Sequence, residues 1–108
     1  MAQIPSEVVE IINRFVQMLK QDNIKIFKVI LFGSYAKGGY TKDSDIDLAI
    51  ISPDFNTSEC LENTSKLLLK AVKLKADIQT IPFSIEEYNS PIGIMEEILN
   101  TGIELMVA

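Results

Sequence analysis

Asp45 and Asp47 stand at alternate positions in DSDIDLAII, with Ile46, Leu48 and Ile50 between and beyond them. Successive side chains of a strand point to opposite faces. The stretch therefore reads as a strand over 45–51 with one apolar face and another that opens on two carboxylates. Aspartate is a poor strand former, and two unit charges 4 Å apart at an effective dielectric of 20 repel by ~4 kcal/mol. The pair lies about 7 Å apart along the strand, near enough for flexible oxygens to converge on one cation. Left bare, it would destabilise the strand or force a proton onto one member. A Mg²⁺ ion removes that penalty and prefers oxygen ligands, phosphate oxygens among them. On these residues alone a solvated turn entering a strand remains an equal reading. An EF-hand fits less well: Asp43, Asp45 and Asp47 match its first, third and fifth positions, but Leu48 occupies the sixth, where the sharp turn needs Gly.

The rest of the chain supplies the elements around that strand. PSEVVEIINRFVQMLKQDN places Val8, Ile12, Phe15, Val16 and Leu19 on one helical stripe, with Ser6 as the expected N-cap. Asn23 breaks that pattern, and IKIFKVILF (24–32) reads as a strand that stops at Gly33. Residues 34–44 are small and polar, with room for one helical turn from Ser34. A second helix is expected over 57–73, with Leu61, Leu68 and Val72 among its inward-facing residues. DIQTIPF (77–83) reads as a third strand, and Pro82 suggests an edge or an early end. Ser84 and Glu87 have capping-box spacing. A further helix follows with Pro91 in its first turn and Gly102 just past its end, and IELMVA (103–108) adds a short final strand. This order predicts an α/β layer fold with a mixed β-sheet packed with helices, as one domain over 1–108.

Composition narrows the chemistry. Net charge is −5, Arg14 is the one arginine, and the nine lysines form no basic stripe, so direct nucleic-acid binding is not expected. A nucleotide arriving with a divalent metal remains compatible, because the metal reverses the local charge. With no His, imidazole catalysis is excluded. Cys60 is alone, and neither a basic leader nor a membrane-length apolar run is present, so a cytoplasmic protein with no membrane contact is expected.

Gly33 and Gly38-Gly39 fit neither a P-loop nor G-x-G-x-x-G. Gly33 nevertheless ends a strand, and Ser34 would open a helical turn. A phosphate could approach the Gly33 backbone and accept hydrogen bonds from the Ser34 hydroxyl and nearby N–H groups. A plain helix N-cap remains the simpler alternative. Asp77 opens the third strand; beside the second strand it could join the same ion cluster, and otherwise it is a surface turn residue.

Together, Gly33-Ser34, ten intervening residues and Asp45-x-Asp47, with Asp77 on a later strand, resemble the signature of the DNA polymerase β-type nucleotidyltransferases. The wording GSYAKGG…DSDIDLA is similar to their smallest branch, the minimal nucleotidyltransferases, often antitoxins encoded beside a HEPN-domain ribonuclease toxin. The resemblance implies the polymerase β-like nucleotidyltransferase fold. It also implies two Mg²⁺ ions held by Asp45, Asp47 and Asp77, and ATP bound through Gly33 and Ser34. Asp77 would help deprotonate the acceptor. Lys37 and Lys42 are cationic candidates for the phosphates, although the family usually has Arg where Lys37 stands, so the bidentate fork is lost.

The family's larger members carry extra acceptor-binding domains. This chain is expected to take its acceptor from another protein, a HEPN-type toxin, in a possible hetero-oligomer. The implied reaction is adenylylation of a toxin hydroxyl, Tyr in this class. The apolar segment 91–108 is the first candidate for partner contact. A non-catalytic antitoxin that masks its partner by contact is the alternative, and a small-molecule transferase of the aminoglycoside type ranks last.

Overall fold

The computed structural model describes residues 4–105. Helix α1 (Ser6–Gln21) buries the expected five residues, Val8, Ile12, Phe15, Val16 and Leu19, on one face. Its cap differs from the expectation: Ser6 is the first helical residue, and Pro5 precedes it. Pro5 holds φ −56° and ψ 141°, and its carbonyl accepts from the N–H groups of Val8 and Val9. A proline there gives up no needed donor.

Strand β1 covers Lys28–Phe32, shorter than the expected 24–32. Its partner β2 (Ile46–Ile51) ends opposite Lys28, and past the last bond, from the Phe27 N–H to the Ile51 carbonyl at 2.8 Å, residues 24–26 have no strand to pair with. They run past the following loop, where the Lys25 N–H donates to the Asp54 carboxylate at 2.8 Å. The short helix α2 (Ser34–Lys37) lies between β1 and β2. A 3-10 turn (Thr57–Glu59) and helix α3 (Cys60–Leu74) lead to β3 (Ile78–Phe83). Helices α4 (Ile85–Asn89) and α5 (Ile94–Thr101) and strand β4 (Ile103–Leu105) complete the fold. Residues 106–108 of the expected final strand lie outside the described residues.

The sheet order is β3-β2-β1-β4, with β1 antiparallel to β2 and β4, and β2 parallel to β3. It is the expected mixed sheet packed with helices. One face packs Val29, Leu31, Leu48 and Ile50 against α1 and α3, while Ile30, Ala49 and Ile51 meet Met95 and Ile98 of α5 on the other. Pro82 sits in β3, an edge strand, where its missing donor costs no ladder bond on the open side.

Two further expectations are corrected. In α3 the buried residues are Asn63, Leu67 and Ala71, while Leu61, Leu68 and Val72 face outward. Apolar residues recur on both sides of this helix. Small Ala71 on the inner side lets the helix approach the sheet, and the Asn63 amide is satisfied by the Asn56 carbonyl at 3.3 Å. The second correction concerns α5, which starts at Ile94, not at Pro91; Gly93 with φ 61° precedes it and separates it from α4. The Ser84–Glu87 capping box forms as expected, with both reciprocal bonds present.

Gly102 follows α5 in extended conformation, where a Cβ would lie 2.6 Å from both Ile30 Cγ2 and the Ile98 carbonyl oxygen. The Gly102→Ala variant should lose about 1–3 kcal/mol by overpacking, read as a lower urea midpoint at unchanged slope. A midpoint equal to wild type would mean that β4 shifts freely from β1.

Candidate functional site

The antiparallel register sets Asp47 opposite Phe32, the last residue of β1. The chain then turns at Gly33, whose φ of 72° and ψ of −147° are open to glycine and little else. Glycine is required twice over here, because a Cβ at Gly33 would overlap the Asp47 carboxylate. The Asp47 side chain thus rests directly on the Gly33 backbone. From Gly33 the chain enters α2, and the Gly33 carbonyl accepts from the N–H groups of Ala36 at 3.1 Å and Lys37 at 3.0 Å. Ser34 is the first residue of this turn, and Gly38 closes it in a left-handed conformation.

The loop back to β2 is tied at both ends. Tyr35 and Tyr40 stack with centroids 4.6 Å apart. Beyond them, Thr41 and Ser44 close a turn in which the Thr41 N–H donates to Ser44 Oγ at 2.8 Å and the Ser44 N–H to the Thr41 carbonyl at 3.1 Å. Asp43 belongs to that exposed turn. The loop therefore delivers Asp45 to the start of β2 in a defined register.

Parallel pairing of β2 with β3 sets Asp47 beside Gln79 and Ile46 beside Ile78. Asp77 lies one step before, level with Asp45, and its carbonyl accepts from the Ile46 N–H at 2.8 Å. The structure thus places Asp47 in β2, with Asp45 just ahead of β2 and Asp77 just ahead of β3, each strand starting one residue later than expected. Burial first, and the Asp45 charge second, raise the Asp47 pKa above its ordinary value. This is the compensation problem posed by the sequence, seen in three dimensions: a half-buried carboxylate beside another carboxylate, hard oxygen donors of the type that Mg²⁺ prefers. The described residues contain no group of three acidic, His or Cys side chains already converged for a metal. In this conformation Asp45 Oδ2 instead accepts a hydrogen bond from Gln79 Nε2 at 2.8 Å.

Sequence reasoning missed Gln79. The alternation Asp77-x-Gln79, an echo of Asp45-x-Asp47, was the available signal, since β3 must present both residues on one face.

Three surface cavities surround the carboxylates. One of about 190 Å³ joins Gly33 and Lys37 to Ile94, Glu97 and Thr101 of α5. Another of about 280 Å³ joins Lys42, Ser44 and Asp77 to Arg14 of α1. The third, about 460 Å³, holds Asp45, Asp77 and Gln79 against Leu68 and Val72 of α3. The two candidate lysines are therefore separated: Lys37 shares a wall with Gly33, and Lys42 with Asp77.

The sequence matches the family described as "Nucleotidyltransferase domain" across residues 10–99. A candidate protein adenylyltransferase of Methanocaldococcus jannaschii, MJ0141, is 34% identical over 104 residues, covering 92% of this chain and 99% of that one. A second from the same organism, MJ1379, is 40% identical over 78 residues, covering 69% and 76% of the two chains. Among solved structures, a candidate nucleotidyltransferase from Sulfolobus solfataricus superposes with TM-score 0.62 at 16% identity, over 91% of this chain and 78% of that one. A toxin–antitoxin structure with AMP-PNP gives 0.57 at 24% identity, over 89% and 73%. At these identities the two structural likenesses speak for the fold. Among the described residues no helix is long and apolar enough to cross a membrane.

Proposed function

The chain belongs to the nucleotidyltransferase domain family, and from that premise we propose that it transfers AMP from ATP to a hydroxyl group, most fittingly a tyrosine, of a partner protein. The partner in this reading is a HEPN-type toxin, which the transfer neutralises. The observation that carries the reading is the seating of Asp47 on Gly33 with Asp45 beside it and Asp77 just ahead of the adjoining parallel strand. Support for a protein acceptor comes from the adenylyltransferase relatives and from the toxin–antitoxin structure of similar fold.

In the proposed mechanism the Gly33 and Ser34 backbone and the Ser34 hydroxyl receive the triphosphate, and Lys37, in the same cavity as Gly33, offsets its charge. Asp45, Asp47 and Asp77 would hold Mg²⁺, two ions in the full reading, which supplies neutralisation of the entering and leaving oxygens. Asp77 is exposed and lines a cavity with Asp45, and in this reading it takes the hydroxyl proton. Lys42 shares a cavity with Asp77 and is assigned to the acceptor side as well. The hydroxyl oxygen attacks the α-phosphorus, its new bond forms as the bond to pyrophosphate breaks, and pyrophosphate leaves.

The test is transfer of label from ATP carrying it at the α-phosphate, with Mg²⁺, in lysate of the source cell. A labelled protein band is expected with wild type and not with Asp47→Asn. Neutralisation of the partner by Asp47→Asn at matched expression would replace catalysis with masking by contact.

A further inference from the structure

Helix α3 carries an apolar stripe that the fold leaves unused. Leu61, Leu68 and Val72 recur at helical spacing on its outer side and are 80%, 57% and 64% exposed, with Leu69 beside them at 62%. Solitary exposed apolar residues are ordinary, but Leu68, Leu69 and Val72 clustered on one helix face, with Leu61 two turns before Leu68, mark an interaction surface. Its position is specific. Leu68 and Val72 wall the same cavity that contains Asp45, Asp77 and Gln79. A group that reaches Asp45 and Asp77 through that cavity passes between Leu68 and Val72 of α3 and the start of β3. The helix and the residue that ends it are also locally basic: Lys66, Lys73 and Lys75 stand against Glu62, while Lys70 is paired with Asp22, in a chain of net charge −5.

We propose that the outer face of α3, with the adjoining edge of β3, is the docking surface for the acceptor protein, a partner that presents an apolar face rimmed by acidic residues beside the hydroxyl to be modified. The inference rests on the transferase reading above and deepens it by fixing where the acceptor sits. The stripe supplies adhesion, and its end at Leu68 and Val72 positions the hydroxyl over the carboxylates. Of the 91–108 segment, expected from sequence to meet the partner, Ile94, Glu97 and Thr101 line the Gly33–Lys37 cavity assigned here to the triphosphate. The segment's exposed Ile92 lines a cavity with Phe83, Glu86 and Ser90 that contains none of the three carboxylates.

The experiment compares wild type, Leu68→Glu, Val72→Glu and a control, Ile92→Glu, in the α-phosphate label-transfer assay. Binding of a fluorescent ATP analogue and thermal melting are measured in parallel. All three substitutions fall on exposed side chains, so melting temperatures should stay near wild type. Label transfer to protein should fall at least tenfold in Leu68→Glu and Val72→Glu, analogue affinity should stay within twofold, and Ile92→Glu should match wild type. A photo-crosslinker at position 68 should then join this chain to the labelled acceptor. Undiminished transfer by both α3 variants overturns the docking surface while leaving the transferase reading intact. So do crosslinks formed only between copies of this chain. Wild type that binds the analogue but labels no protein fails the transferase reading, and the docking inference falls with it.

Discussion

Asp47→Asn is expected to slow nucleotidyl transfer by about 10²–10⁴-fold and, in the absence of metal, to raise the melting temperature at neutral pH. The catalytic half follows from charge. Substitution by Asn keeps the size of the side chain but removes one of two adjacent negative charges available to a divalent cation. Metal stabilisation of a transition state is worth several kcal/mol, and at 1.36 kcal/mol per decade its loss corresponds to a fall of about 10²–10⁴-fold in rate.

The stability half follows from the raised pKa of Asp47, caused by burial and then by Asp45. A carboxyl that binds its proton more tightly when folded weakens the fold as pH rises from the unfolded pKa through the folded one. The deficit is complete above the folded value. Wild type carries it at pH 7 and the Asn variant does not. The difference in melting temperature should therefore close as pH falls to about 3, below the ordinary aspartate value, where the group is protonated in both states. Added Mg²⁺ should raise the wild-type melting temperature more than that of the variant. An Asn variant that melts below wild type at pH 7 without metal would show that Asp47 serves the fold instead of straining it.

Gly33→Ala is expected to damage fold and activity together. A residue with a side chain at φ 72° and ψ −147° costs about 1–3 kcal/mol in backbone strain. The new methyl group would also displace the Asp47 carboxylate from the Gly33 backbone. The melting temperature should drop by roughly 4–8 °C for each kcal/mol lost, and transfer should fall toward the level of Asp47→Asn. A double-mutant cycle separates the two causes. In an Asp47→Ala background the carboxylate is gone and only the backbone strain remains, so Gly33→Ala should cost less stability there. Equal costs in both backgrounds would mean that the contact between Gly33 and Asp47 carries none of the effect.

What could be read directly from the residues was whatever depends on neighbours in the chain. The α1 stripe, the alternation in β2, the turn at Gly33 and the Ser84–Glu87 capping box all follow from backbone geometry within a few residues, and all appear where expected. Tertiary structure decided the remainder. Helix α3 has apolar residues on two flanks, so its period could not say whether Leu67 and Ala71 or Leu68 and Val72 would meet the sheet; the fit of small Ala71 against the strands did. Residues 24–26 have strand composition, yet β2 ends before it can pair with them. Gln79 reached Asp45, and Asp77 came level with it, because a crossover helix brought β3 parallel to β2 in one register. Local composition specifies which carboxylates share a strand face. Only the pairing of distant strands, a long-range hydrogen-bond register, determines which side chains meet across it.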